Sequence, residues 1–212
     1  MSEKPILFNT EMVKAIMQGR KTVTRRIIKK VNGKDFIGYV TCSVPKGDEG
    51  KAAFGRGNLE DIANANIEQY VRPPYKVGDI LYVRETWSTQ YNGVNDDNGY
   101  GAYVYKADGV ELDNSEGNCS RWKPSIHMPK EAARIFLRVT DVSVERLQAM
   151  KYEDFNKEGF LTSYEFMELW DKTIKKEDLK FYSYKTNPWV WAIEFEVVTE
   201  DYETGKYIKV FE

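Results

Sequence analysis

Residues 18–26 read Gln18-Gly19-Arg20-Lys21-Thr22-Val23-Thr24-Arg25-Arg26, and the fold turns on how this stretch is read. Upstream, Met12, Val13, Ile16 and Met17 fall on one stripe of a helix over Thr10 to Gln18, with Asn9 or Thr10 as N-cap. Gly19 stands where a helix end needs a left-handed C′ residue. Downstream, Val23, Arg25 and Ile27 alternate with Thr22, Thr24, Arg26 and Ile28, which is the period of a strand. A helix that turns through one glycine into a strand puts Arg20 and Lys21 at the negative end of the helix dipole, where positive charge is favoured.

Working outward, the chain of 212 residues suits one well-cored domain, and no Pro/Gly/Ser linker divides it. The expectation is a single domain over 1–212 with insertions at about 31–72 and 88–124. Cys42 and Cys119 make neither a metal nor a disulfide framework, so a reducing, cytoplasmic setting is the default. No signal peptide and no long apolar run is present, so no membrane span is expected. The net charge of −2 excludes a bulk electrostatic case for nucleic acid. Residues 1–30 nevertheless carry eight basic side chains against Glu3 and Glu11. A basic patch on an acidic body suits a phosphate-bearing ligand, although a solvated charged face is the commoner origin of such a run.

Pro5 to Phe8 reads as a short first strand. Residues 31–72 are polar, with a hairpin signal at Asn32-Gly33 and a short helix at Leu59 to Asn64. After the turn at Pro73 to Asp79, Ile80 to Trp87 reads as a strand with Leu81, Val83, Glu85 and Trp87 on one face. A glutamate on an apolar face needs a cationic partner, for which Lys21 or Arg25 is the candidate. The second insertion is broken by strand-like Ala102 to Tyr105. His127, the only histidine, has no ligand-spaced companions, so no metal site and no cofactor are expected; it is a proton carrier, a base-stacking group or a structural residue. Arg134 to Glu145 reads as a strand bent at Thr140-Asp141, Leu147 to Phe155 as a helix, and Thr162 to Glu165 as a capping box before a helix carrying Phe166, Leu169, Trp170 and Ile174. Trp189 to Val197 reads as a strand buried on one face, followed by a hairpin-like tail at Thr204-Gly205. Many strands, few short helices and no regular βα alternation give an α+β class with a small mixed β-barrel.

Gly19-Arg20-Lys21-Thr22-x-Thr24, Gly78-Asp79 before a strand, Glu158-Gly159-Phe160, the helix with Trp170 and Asn187-Pro188-Trp189-Val190-Trp191-x-Ile193-Glu194-Phe195 together resemble the ASCH domain, a relative of the PUA RNA-binding fold. The likeness covers roughly residues 4–30, 73–87 and 124–198. With Arg84-Glu85-Thr86-Trp87 and Ile126-His127-Met128-Pro129, the chain is similar to a longer bacterial and phage type. The resemblance implies a PUA-like barrel with flanking short helices and two inserted regions. Small bacterial members of the superfamily are acetylcytidine amidohydrolases with a Lys, Thr and Glu trio, which corresponds to Lys21, Thr24 and Glu158. In such chemistry Thr24 attacks the acyl carbonyl, a neutral Lys21 takes its proton, and Glu158 orients the lysine or donates to the leaving amine. Lys21 and Thr24 point to opposite faces of a regular strand, so the mechanism demands that Lys21 sit in the turn.

Two function classes follow. In a binding module for RNA, a nucleotide or a modified nucleoside, Arg20, Lys21, Thr22, Arg25 and Arg26 contact phosphate or the ligand, with Glu85, Trp87 and His127 lining the same basic cleft. In an amidohydrolase, Lys21, Thr24 and Glu158 act on an acylated nucleoside or base. A nuclease is a third alternative, for which no acidic metal cluster stands out.

Overall fold

The computed structural model describes residues 3–41, 47–57, 65–90, 102–112, 121–201, 204 and 206–210. Among them the chain runs β1 (Glu3–Leu7), α1 (Thr10–Met17), β2 (Val23–Ile27), β3 (Asp35–Tyr39), β4 (Ala52–Arg56), β5 (Asn66–Val71), β6 (Ile80–Arg84), β7 (Trp87–Gln90) and β8 (Ala102–Tyr105). It continues with β9 (Phe136–Arg146), α2 (Tyr152–Lys157), α3 (Ser163–Lys172), α4 (Leu179–Tyr182), β10 (Trp189–Glu200) and β11 (Tyr207–Lys209). Both cysteines and the helix expected at Leu59 to Asn64 lie outside the described residues. The strands form a sheet of order β1-β6-β9-β10-β11 with β2 on β10, a β3-β4-β5 sheet and a β7-β8 pair. The class is α+β; the expected small barrel is not formed, because among the described residues no sheet closes on itself. No helix among them is long and apolar enough to cross a membrane.

The chain divides into two compact units, each discontinuous in sequence. The first comprises residues 1–22, 78–138 and 195–212. Here β1 lies parallel to β6, from Glu3↔Ile80 to Leu7↔Arg84, and β6 lies antiparallel to the start of β9. The end of β10 pairs with β11 as the tail hairpin read from Thr204-Gly205. Asn9 caps α1 by accepting from the Met12 amide at 2.8 Å, and α1 buries Val13, Ala15 and Ile16. Gly19, at φ +71°, closes the helix: its amide donates to Ile16 O at 2.9 Å, and the Arg20 and Lys21 amides donate to Ala15 O at 2.9 and 3.1 Å. The strand read over Ile80 to Trp87 is two strands. β6 stops at Arg84, and β7 pairs with β8 in another sheet. The break is fixed from outside the local pattern: the Arg84 guanidinium donates to the Met128 and Ile126 carbonyls, and Trp87 exchanges backbone bonds with Lys123 at 3.2 and 2.7 Å.

The second unit comprises residues 23–77 and 139–194. β2 runs antiparallel to β10, from Val23↔Glu194 to Ile27↔Val190. Asn32-Gly33 does make a turn, with the Lys34 amide donating to Val31 O at 3.2 Å, but β2 and β3 do not pair across it. The insertion is instead a three-stranded antiparallel meander. A Cβ on Gly55 would stand 1.9 Å from Asn66 O, so β5 passes β4 at a distance that only glycine permits. Thr162 caps α3 by accepting from the Glu165 amide at 3.2 Å. The Glu165 carboxylate accepts from the Leu161 amide, so the capping box is only half formed. Phe166 and Trp170 of α3 pack with Leu147, Phe155 and Val190, and Trp170 Nε1 donates to Tyr182 O at 2.9 Å to hold α4. β10 is buried on both faces, not one, since Val190 enters this cluster while Trp191 and Ile193 are buried on the opposite side.

Candidate functional site

In the second unit β2 delivers Thr24, Arg25 and Arg26, and α2 delivers Glu158 at its C-cap. The Arg25 side chain is 4% exposed and is surrounded by carboxylates: Nε to Glu145 Oε1 at 2.5 Å, Nη1 to Glu158 Oε1 at 3.3 Å and Nη2 to Asp154 Oδ2 at 3.9 Å. Glu145 comes from β9 and Asp154 from the first turn of α2, where its carboxylate also accepts from the Lys151 amide at 2.8 Å. Removing a guanidinium from water costs several kcal/mol, which opposite charges offset only at short range. Three such partners around one cation leave a carboxylate excess at this point. Arg26, next along the strand, is partly buried; desolvation lowers its pKa below the ordinary arginine value, opposed by Tyr75 and Glu158. Thr24, opposite Ile193 in the β2–β10 ladder, is buried as well.

In the first unit Lys21 is 1% exposed, with Nζ 5.5 Å from the centroid of the Phe8 ring. It precedes β2 and is tied by its amide to α1, so it lies outside the strand register, as the mechanism demands. Glu85 does not pair with Lys21 or Arg25. Its two oxygens accept from Arg134 Nε and Nη2 at 2.9 and 3.2 Å, and Arg134 Nη1 donates to Asp108 at 2.8 Å. The Arg134 guanidinium lies 3.9 Å from the Tyr105 ring centroid, and the Tyr105 hydroxyl donates to Ala132 O at 2.7 Å. Desolvation pushes the Glu85 carboxyl above its ordinary pKa, against the hydrogen bonds from Arg134. Trp87 is buried under Lys123, whose Nζ is 4.5 Å from the ring centroid, and its Nε1 has no partner among the described residues. Arg20 is exposed and donates to Gln18 at 3.0 and 2.7 Å; Thr22 is exposed and its carbonyl accepts from the Phe195 amide at 2.9 Å. His127 is exposed in a 3-10 turn.

Of the sequence-derived candidates, then, the second unit holds Thr24, Arg25, Arg26 and Glu158 and joins Arg25 to Glu158. Lys21, Arg20, Thr22, Glu85, Trp87 and His127 belong to the first unit. Sequence reasoning missed Glu145, Asp154 and Tyr75 in one unit and Arg134, Asp108 and Tyr105 in the other. Asp154 carried a usable signal, as an acid three residues beyond the helix start at Lys151. Glu145, 120 residues from Arg25, carried none. No group of three or more His, Cys, Asp or Glu among the described residues is arranged to hold a metal. Set against known proteins, the chain matches no family model, no characterised protein and no solved structure.

Proposed function

We propose that this is an ASCH-type protein that binds a modified nucleoside, free or within RNA, and that the cluster around Arg25 and Glu158 reads the base. The observation that carries this is the neutralised state of Arg25, whose guanidinium has three carboxylates within 4.0 Å. A cation so engaged has little charge to offer a phosphate. A buried carboxylate beside a buried guanidinium instead sets a hydrogen-bond acceptor next to a donor, the complement of a nucleobase edge. Calorimetric titration with cytidine, acetylcytidine and related nucleosides tests this: Glu158→Gln is expected to weaken binding at least about tenfold, the scale of losing a charge-assisted hydrogen bond. Absence of affinity for every nucleoside, and for RNA at low salt, removes the reading. The cytoplasm is the proposed setting, the default for a chain whose Cys42 and Cys119 make no disulfide framework.

A second reading, amide hydrolysis on acetylcytidine or a related base, is favoured by burial. Lys21, Thr24 and Glu158 are 1%, 3% and 2% exposed, and among the described residues only two other polar or charged side chains, Glu85 and Ser88, are buried as deeply. Burying a lysine or a glutamate costs free energy, so three such residues at the positions singled out by the resemblance speak for chemistry. In that reading Thr24 Oγ adds to the acyl carbonyl, its proton is passed on to the nucleobase amine as that amine leaves, and water releases the acid from the threonine ester. Lys21→Ala and Thr24→Ala are expected to abolish release of cytidine from acetylcytidine, followed by chromatography, with far-UV dichroism unchanged. If the wild-type protein releases none, this reading ends. A nuclease, the third alternative, draws support from no cluster among the described residues.

A further inference from the structure

The second unit carries a cationic surface that the buried cluster does not use. Lys29 and Lys30 follow β2, and Lys175, Lys176 and Lys180 lie on the short segment between α3 and the end of α4; all five are exposed. The two stretches meet: the Lys30 amide donates to the Tyr182 hydroxyl at 3.1 Å, and Tyr182 is buried in α4 one residue after Phe181. Lys30 holds a left-handed backbone, φ +66°, to make this contact. None of the five ammonium groups has a carboxylate within salt-bridge distance among the described residues, although Glu177 and Asp178 lie between Lys176 and Lys180 in the chain. Phe181 is 45% exposed, with Lys180 Nζ 4.9 Å from its ring centroid.

We infer that this face holds the backbone of a single-stranded RNA whose modified base enters the Arg25–Glu158 cluster, an inference that rests on the nucleoside-binding reading. Unpaired surface lysines on two stretches that meet, with one open aromatic ring on the second, are the composition of a sequence-tolerant single-strand track, in which ammonium groups follow phosphates and the ring stacks a base. An acidic protein partner would more often meet apolar area around its charges, and here Phe181 is the one large apolar side chain exposed on the segment from Lys175 to Tyr182. Lys29 is three residues beyond Arg26, so at most about 10 Å of chain separates them, close enough for a base at Arg26 and phosphates at Lys29 and Lys30 to belong to one strand. The phosphate binding that Arg25 cannot supply is supplied here.

Fluorescence anisotropy with a short labelled single-stranded RNA carrying one acetylcytidine, beside calorimetry with free acetylcytidine, tests the surface. Changing all five lysines to glutamine is expected to weaken the RNA at least about tenfold at moderate salt and to flatten the logarithmic salt slope by about 0.7 for each phosphate no longer neutralised. Phe181→Ala is expected to weaken RNA by about tenfold through the absence of stacking. Free acetylcytidine is expected to bind both variants as it binds the wild type. The inference is overturned if the five-glutamine variant holds RNA like the wild type, if it loses the free nucleoside equally, or if polyglutamate displaces the RNA at equal charge concentration, which marks an acidic polypeptide partner. Wild-type protein that binds the nucleoside and not the RNA overturns the surface and leaves the nucleoside reading standing. Protein that binds neither ends both.

Discussion

Arg25 shows how a residue read as a phosphate ligand acquires another role once its surroundings are known. With buried Glu158 and half-buried Glu145 and Asp154 around it, its removal takes one shared cation from three carboxylates; Arg25→Ala is expected to destabilise the fold by about 3–5 kcal/mol. Arg25→Lys, which keeps the charge and loses the planar fork, is expected to recover part of that loss. Urea unfolding of the two variants checks the order, and equal stability of Arg25→Ala and wild type contradicts it. Glu85 makes a pH prediction of the opposite sign from the usual carboxylate. Its pKa is raised by desolvation in spite of Arg134, so the folded protein binds this proton more tightly than the unfolded chain does. The contribution is full below the ordinary carboxylate value and is lost as pH rises through the raised value. Glu85→Gln deletes that slope. The stability of the wild type relative to the variant is therefore expected to fall with rising pH just above the ordinary carboxylate range, and thermal midpoints over that range that run parallel contradict it. At this scale the sequence marked Glu85 as a residue in need of an explanation, because a charge on an apolar face is anomalous whatever surrounds it, whereas Glu158 was marked by the family resemblance alone. It could not name their partners, since Arg134 is 49 residues from Glu85 and Arg25 is 133 from Glu158.

Among the elements, those legible in advance were the ones whose signals are local. The Asn9 cap, the Gly19 turn and the Thr162 cap depend on spacings of a few residues, and each forms; the stripe of α1 forms only in part, with Val13 and Ile16 buried beside Ala15 while Met17 is 46% exposed. The division of Ile80 to Trp87 into β6 and β7 was not legible, because the Arg84 bonds to residues 126 and 128 that end β6 lie far along the chain. The same holds for Asn32-Gly33, where the turn is local but the pairing of β3 with β4 is not. Two glycines separate these cases. Gly19 has φ +71° and nothing within 4 Å of a built Cβ, so Gly19→Ala costs only the left-handed backbone, about 1 kcal/mol. At Gly55 the added Cβ would lie 1.9 Å from a carbonyl oxygen of β5, backbone that cannot step aside, and Gly55→Ala is expected to cost several times as much. Thermal unfolding of the two variants distinguishes them; equal losses would mean that β4 and β5 separate at little cost.

For the whole molecule the net charge of −2 is a poor guide, because it sums residues in unlike surroundings. The cations that first drew attention, Arg25 and Arg26, are largely withdrawn from solvent, and Arg25 is met by acids of its own unit. Those left in water, such as Lys29, Lys30, Lys176 and Lys180, sit in stretches whose motif content is nil. Composition alone assigns both kinds the same weight, whereas screening by salt does not: exposed charges are attenuated beyond a Debye length of about 8 Å at physiological ionic strength, and buried pairs much less. A ligand read by the Arg25–Glu158 cluster through hydrogen bonds releases no counterions, so its affinity is expected to stay level as salt is raised from low to physiological concentration. Titration of a nucleoside across that range measures it. A steep decline would mean that phosphate-like charge, and not a base edge, is what Arg25 and Arg26 recognise, and it would return those two residues to the role that the bare sequence suggests.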